Sequence, residues 1–120
     1  MNDFPDHLFT RMLFKAGEVI FEEGQRGDCA YLVDDGEVAI LKRRARGFHP
    51  LARIGPGGIF GEMALVDDQP RMAQAKALAD TNCVIIQRDR VRARIDAADP
   101  LVRALLRIFV QNIRSLTRDP

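Results

Sequence analysis

The residues best suited to chemistry lie between positions 60 and 73, in the run Phe-Gly-Glu-Met-Ala-Leu-Val-Asp-Asp-Gln-Pro-Arg-Met-Ala. Gly61 allows close approach to the backbone, and Glu62-Met63-Ala64-Leu65 favours a short helix. A helix start offers unpaired N–H groups and a partial positive charge, which together suit an anion. Pro70 stops that helix, and Arg71 is expected on the strand that follows. Arginine's fork donates two charge-assisted hydrogen bonds to a phosphate. A buried Glu62 beside it accepts from a pair of hydroxyls, such as a ribose edge. Turn, carboxylate and arginine within eleven residues describe a pocket for a sugar phosphate. Each also has a purely structural reading: Gly-Glu is a common turn pair, and Glu62 with Arg71 could form an internal salt bridge. Asp67 and Asp68 are expected to face solvent in the turn before Pro70, since inward acids would repel a phosphate.

The elements that must hold these residues divide the chain in two. All nine glycines fall at or before position 61, so a turn-rich part precedes a glycine-free part. Val19-Ile20-Phe21, Tyr31-Leu32-Val33, Val38-Ala39-Ile40-Leu41 and Val84-Ile85-Ile86 are strand-length runs rich in β-branched and aromatic residues. Tyr31 to Ile40 reads as a β-hairpin, because Asp35-Gly36 supplies the positive φ of a two-residue turn. Many short strands at regular spacing predict an antiparallel sandwich, roll or barrel. In the tail, Asp99-Pro100 is an N-cap followed by proline at the first helical position. Val102, Leu106, Phe109, Ile113 and Leu116 then recur at steps of four and three, widened by Leu101, Leu105 and Ile108. This predicts one amphipathic helix with an apolar face in need of a partner, fed by a shorter helix over 89–98.

Composition narrows the function. The chain has 120 residues, room for a single domain, and is 47% hydrophobic and 29% charged, ordinary for a globular protein. Eighteen Lys and Arg against 17 Asp and Glu leave a net charge of +1, so no bulk field favours nucleic acid or an anionic membrane. The run Lys42-Arg43-Arg44-Ala45-Arg46 reads as a solvated hairpin loop. Cys29 and Cys83 lie far apart with no CxxC, and are read as small buried hydrophobes of a reducing cytosol. His7 and His49 are isolated, which argues against a metal centre, and the only serine, Ser115, sits near the end of the final helix. No enzymatic activity and no cofactor are expected. No apolar run reaches membrane-spanning length and the N-terminus does not read as a signal peptide, so a cytoplasmic location is expected. Fifteen arginines against three lysines hint at a GC-rich, bacterial genome.

The stretch Phe60-Gly-Glu-Met-Ala-Leu65 followed by Pro70-Arg71-x-Ala73 resembles the phosphate-binding cassette of the cyclic nucleotide-binding domain family. That family includes regulatory subunits of cAMP-dependent protein kinase, catabolite-activator-type regulators and cyclic nucleotide-gated channels. Phe14-Lys-Ala-Gly17-Glu18-Val-Ile-Phe21-x-Glu23-Gly24-x-x-Gly27-Asp28-x-x-Tyr31-Leu-Val33-x-x-Gly36-x-Val38 is similar to the family's opening strands, and Leu51-Ala-Arg-Ile-Gly-Pro-Gly57 to the approach to the cassette. The likeness covers about residues 14–118.

The resemblance implies a mainly β fold, an eight-stranded antiparallel β-roll over about 11–88, then a hinge helix and a C-terminal lid helix over 89–118. It implies that Arg71 holds the phosphate oxygens and Glu62 the ribose 2′-hydroxyl. Backbone N–H groups of Gly61, Glu62, Ala64 and Met72 would complete the cradle, with Met63 and Ala73 lining it. Several guanine-preferring members place Thr or Ser after the arginine; Met72 has no such hydroxyl, so cAMP is favoured over cGMP as ligand. Arg103, Arg107 and Phe109 are candidates for covering the base. Neither a helix-turn-helix nor a transmembrane span is visible in these residues. The expected partners are therefore the cyclic nucleotide and an effector protein or linked effector domain, with the C-terminal helix available for a homodimer. Binding to nucleic acid by this chain alone, or to membrane, is not expected. The opposing possibility is a β-roll that has lost its ligand and serves as an interaction module.

Overall fold

The computed structural model describes residues 10–65 and 68–117. His7 and Asp67 lie outside them, as do the side chains of Ile113, Ser115 and Leu116. Eight strands run β1 Thr10–Phe14, β2 Val19–Phe21, β3 Cys29–Asp35, β4 Val38–Arg44, β5 Gly47–Ile54, β6 Ile59–Phe60, β7 Gln74–Ala77 and β8 Thr81–Gln87. A 3-10 turn, Glu62–Leu65, lies between β6 and β7, and two helices follow, α1 Arg88–Asp96 and α2 Pro100–Thr117. The strands form two four-stranded sheets, ordered β1-β8-β3-β6 and β2-β7-β4-β5, with every pair antiparallel. A mainly β roll with helices at its C-terminal end is thus the architecture that the sequence predicts.

The inward faces of both sheets supply the core. Phe14, Val33, Cys83 and Ile85 from one sheet meet Phe21, Val38, Ala75 and Ala77 from the other. Phe60 closes the end nearest the 3-10 turn, its ring stacked on Tyr31 at 4.9 Å. Small residues opposite large ones let the sheets approach closely. Cys83 is fully buried there, and burial pushes its thiol up to about 11. Cys29, by contrast, is only half-buried, and both thiols are free.

The hairpin expected across Asp35-Gly36 does not form. β3 pairs with β8 and β6, while β4 pairs with β5 and β7, so the turn carries the chain from one sheet to the other. Gly36, at φ 109°, lies against Thr81, where an added Cβ would meet the Thr81 Cα at 2.6 Å. The Thr81 hydroxyl accepts from the Glu37 N–H at 3.1 Å, fixing the corner. Asp-Gly supplied the positive φ, but long-range packing on Thr81 chose the sheets.

The helix signals held. Asp99 Oδ1 accepts from the Leu101 N–H at 2.8 Å, capping α2 one residue before Pro100. α1 buries none of its residues and carries four arginines, Arg88, Arg90, Arg92 and Arg94. Among the described residues α2 makes no extensive packing against any strand, and Leu101, Val102, Leu105, Leu106, Ile108 and Phe109 are all exposed.

Candidate functional site

Arg71 is the centre of the candidate site. It stands three residues before β7, not on a strand as expected, because its backbone is tied to the β2–β3 turn instead of a ladder. Its N–H donates to Gln25 O at 2.7 Å and its carbonyl accepts from Gly24 N–H at 2.8 Å. That tie sends the side chain inward, where it is 7% exposed. Nη1 donates to the Gly61 carbonyl at 3.0 Å and Nη2 to the Cys29 carbonyl at 2.8 Å. The guanidinium lies over the Phe21 ring, 4.2 Å from its centroid, with Tyr31 at 5.8 Å. Nε is buried with no hydrogen-bond partner. Among the described residues no carboxylate pairs with it.

Two glycines make room for this cation. A Cβ at Gly27 would collide with Nε, Cζ and Nη2 of Arg71. A Cβ at Gly61 would stand 2.8 Å from Nη1, and the φ of 71° there disfavours any side chain. Burial holds the Tyr31 phenol far above its ordinary range, helped by a hydrogen bond with the Cys29 thiol, so it stays protonated beside the cation.

The cassette residues fall around this centre unequally. Ala64 and Ala73 are buried, and Met63 is half-buried. Glu62 is exposed, which corrects the expectation of a buried carboxylate. It opens the 3-10 turn and forms no ion pair among the described residues, and burying an unpaired carboxylate would cost several kcal/mol, of order 5. The internal Glu62–Arg71 salt bridge is therefore not made. The Ala64 N–H already donates to Gly61 O at 3.3 Å, so it is committed to the turn and not free for an anion as expected. Met72 is 46% exposed, and its carbonyl accepts from Lys42 Nζ at 2.8 Å.

Two supports were not anticipated from sequence. Lys42 also pairs with Glu23 at 2.9 Å, and Glu23 accepts from the Arg43 N–H at 3.1 Å. These contacts hold the Glu23 carboxyl below the usual carboxylate range, the Lys42 hydrogen bond first among them. Asp68 faces solvent as expected but is not idle. Its carboxylate accepts from Arg88 Nη1 at 2.7 Å and lies 3.9 Å from Arg92, while Arg26 Nη1 donates to its carbonyl at 2.9 Å. The loop carrying Arg71 is thereby tied to α1. An open cleft of about 350 Å³ lies there, lined by Arg26, Gly27, Asp28, Asp68 and Arg88. Of its cations, Arg88 pairs with the Asp68 carboxylate and Arg26 with the Asp68 carbonyl, so it is a poorer anion site than the cradle around Arg71.

The candidate lid residues lie on α2, which among the described residues makes no extensive contact with the elements of the cradle. Arg103 Nη1 donates to Asp96 O at 3.2 Å, and Arg107 and Phe109 are exposed on α2. Among the described residues no group of three or more His, Cys, Asp or Glu could hold a metal ion. No helix among them is long and apolar enough to cross a membrane.

Comparison with known proteins bears on this site. The family model described as cyclic nucleotide-binding domain matches residues 11–97. The chain is 32% identical over 102 residues to a CRP-like cAMP-activated global transcriptional regulator of Mycobacterium tuberculosis, covering 84% of this chain and 46% of that protein. It is 34% identical over 107 residues to the cyclic AMP receptor protein of Thermus thermophilus, covering 88% and 50%. Among solved structures, the cAMP-bound form of the EAL enzyme Bd1971 superposes with a TM-score of 0.78 at 37% identity, over 89% of this chain and 29% of that one. The chain thus spans about half the length of the curated relatives it matches.

Proposed function

We propose that this chain, which belongs to the cyclic nucleotide-binding domain family, is a sensor that takes a cyclic nucleotide phosphate on Arg71 and passes the event to an effector. The observation that carries the reading is a buried arginine with no counter-ion. Taking an ammonium or guanidinium out of water costs several kcal/mol, of order 5, unless it is paired. The ring of Phe21 returns about 1–2 kcal/mol of that, and two carbonyls part of the rest. An anionic ligand supplies what is missing. Glu62, exposed beside Gly61, is free to accept from ribose hydroxyls. The printed names of the relatives and neighbours, a cAMP-activated regulator and a cAMP-bound enzyme domain among them, support a cyclic nucleotide over other sugar phosphates.

On the base, Met72 favours cAMP over cGMP, since its thioether offers no hydroxyl to the guanine amino group. A cGMP-bound form of Bd1971 also resembles this chain, with a TM-score of 0.79 at 37% identity, so the fold alone does not choose the purine. For output, the exposed apolar face of α2 is read as the part that ligand repositions, over the purine, against a second copy or onto an effector. A ligand can move it only by binding one position better than the other. No reaction is assigned, and a cytoplasmic site of action follows from the sensor reading.

Calorimetric titration with cAMP and with cGMP, repeated on Arg71→Ala, tests this. Saturable one-to-one heat that is lost in the variant supports the sensor, and the ratio of the two affinities tests Met72. No heat with either nucleotide, once ligand carried through purification has been excluded, overturns it and leaves the interaction module.

A further inference from the structure

From Val38 to Gly61 the chain carries Lys42, Arg43, Arg44, Arg46 and Arg53 and no acidic residue, although the whole chain is nearly neutral. The first four fold into the β4–β5 hairpin, whose residues 43–53 are all exposed. Lys42 and Arg53 have carboxylates to face, Glu23 at 2.9 Å and Glu37 at 3.6 Å. Arg43, Arg44 and Arg46 form no ion pair among the described residues. The Arg43 guanidinium lies 5.1 Å from the centroid of Phe48, its cross-strand neighbour, and that ring is 44% exposed. Among the described residues β5 is the edge strand of its sheet and pairs only with β4, so its outer side presents backbone N–H and C=O groups that no described strand pairs.

We propose that this hairpin docks an extended acidic polypeptide segment, which adds a strand along the outer edge of β5. The carboxylates of the segment meet Arg43, Arg44 and Arg46, and an apolar side chain rests on Phe48. Charge alone would suit any polyanion. The free strand edge decides among them, because a peptide backbone satisfies its donors and acceptors and neither DNA nor a lipid headgroup does so. Pro50 removes one donor from the edge, leaving the stretches on either side of it to pair. The hairpin is tied near its turn through Lys42 to the carbonyl of Met72, next to Arg71, which places the docked segment within mechanical reach of the cradle.

The probe is a fluorescein-labelled peptide of about ten residues alternating glutamate and valine, titrated with the full chain by anisotropy without any nucleotide. Saturable binding is expected at about 50 mM salt. It should weaken at about 300 mM, where the Debye length falls to roughly 6 Å. The triple variant R43S/R44S/R46S, altered only at exposed positions, should bind at least about tenfold more weakly with an unchanged melting temperature. A peptide N-methylated at alternate residues should also lose affinity. No saturable binding, or equal binding by the triple variant, overturns the proposal and leaves the charges and Pro50 as protection of the edge. Equal binding of the N-methylated peptide, or tighter binding to a mixed-sequence DNA duplex or to phosphatidylserine vesicles, overturns it as well. Because the assay contains no cyclic nucleotide, its outcome is independent of the calorimetric test of Arg71.

Discussion

The cradle around Arg71 and the face of α2 depart from ordinary folding economy in opposite senses. In the cradle a charge sits where apolar groups belong, 7% exposed and without a carboxylate. On α2 apolar side chains sit where charges belong, with Leu101 66% and Phe109 55% exposed. The core keeps the ordinary rule, with the Phe14–Ile85 cluster buried, and Arg90, Arg92 and Arg94 of α1 lie at the surface. A cation lacking an anion and a helix lacking a cover are each explained if something absent completes them. The difference between them is in the chemistry each demands. The buried fork, held between two carbonyls and two glycines, calls for an anion, whereas the helix asks only for apolar surface.

The largest break in that comparison comes from the cradle. Arg71→Ala should weaken cyclic nucleotide binding about a hundredfold, the loss of charge-assisted hydrogen bonds worth roughly 2–3 kcal/mol. In the same variant the stability of the free protein should change by no more than about 1 kcal/mol, because an uncompensated buried charge leaves with the side chain. Chemical denaturation decides between the readings. A loss of 3–5 kcal/mol, roughly what breaking a buried pair costs, would make Arg71 a structural cation. A smaller break is Gly27→Ala. Its methyl would displace the far end of the Arg71 side chain, so binding should fall about tenfold while the melting temperature holds. Unchanged affinity would mean that the guanidinium has room to move.

These two residues also mark what was legible in the sequence. Arg71 and the 62–65 turn could be read from local chemistry, as could the Asp99-Pro100 helix start, because capping and turn formation are short-range effects. Asp35-Gly36 could not be read fully. Its turn chemistry is local, but the choice of sheet rests on Thr81, some 45 residues on. The exposure of Glu62 is not legible in the sequence, because residue type and spacing in a short turn do not say how deep a side chain lies. Phe21 under Arg71, and Lys42 on the Met72 carbonyl, carry no signature, since an aromatic on one strand and a lysine on another meet only through sheet order. Gly27 had a weak signal in the Gly24-x-x-Gly27 spacing, whose reason lies in the space that Arg71 takes.

The helix side of the comparison predicts smaller effects. Replacing Leu105 and Phe109 together with serine should leave the stability of the free protein within about 0.5 kcal/mol, as both are exposed. If ligand draws α2 onto new contacts, the double variant should bind cyclic nucleotide about three- to fivefold more weakly, through the loss of roughly 1 kcal/mol of apolar burial. Hydrogen exchange along α2 should then slow on ligand addition in the parent and not in the variant. Equal slowing in both would show that the helix responds without using this face.

The smallest effect concerns the support that joins the cradle to β4. The Glu23 carboxyl is held below its ordinary value by Lys42 and the Arg43 N–H. The native state therefore favours the charged form. The resulting stability is fully present above the carboxyl's unfolded value and is lost as pH falls through the lower, folded one. The pair is partly solvated, so the contribution should be about 0.5 kcal/mol or less. Comparing acid unfolding of the parent and Glu23→Gln should reveal it as a difference present at neutral pH that closes in strong acid. The same substitution bears on binding, because Lys42 also holds the Met72 carbonyl. If Glu23 fixes Lys42 there, cyclic nucleotide affinity should drop about twofold in Glu23→Gln. If affinity is unchanged while the stability difference is seen, Lys42 holds Met72 without its carboxylate.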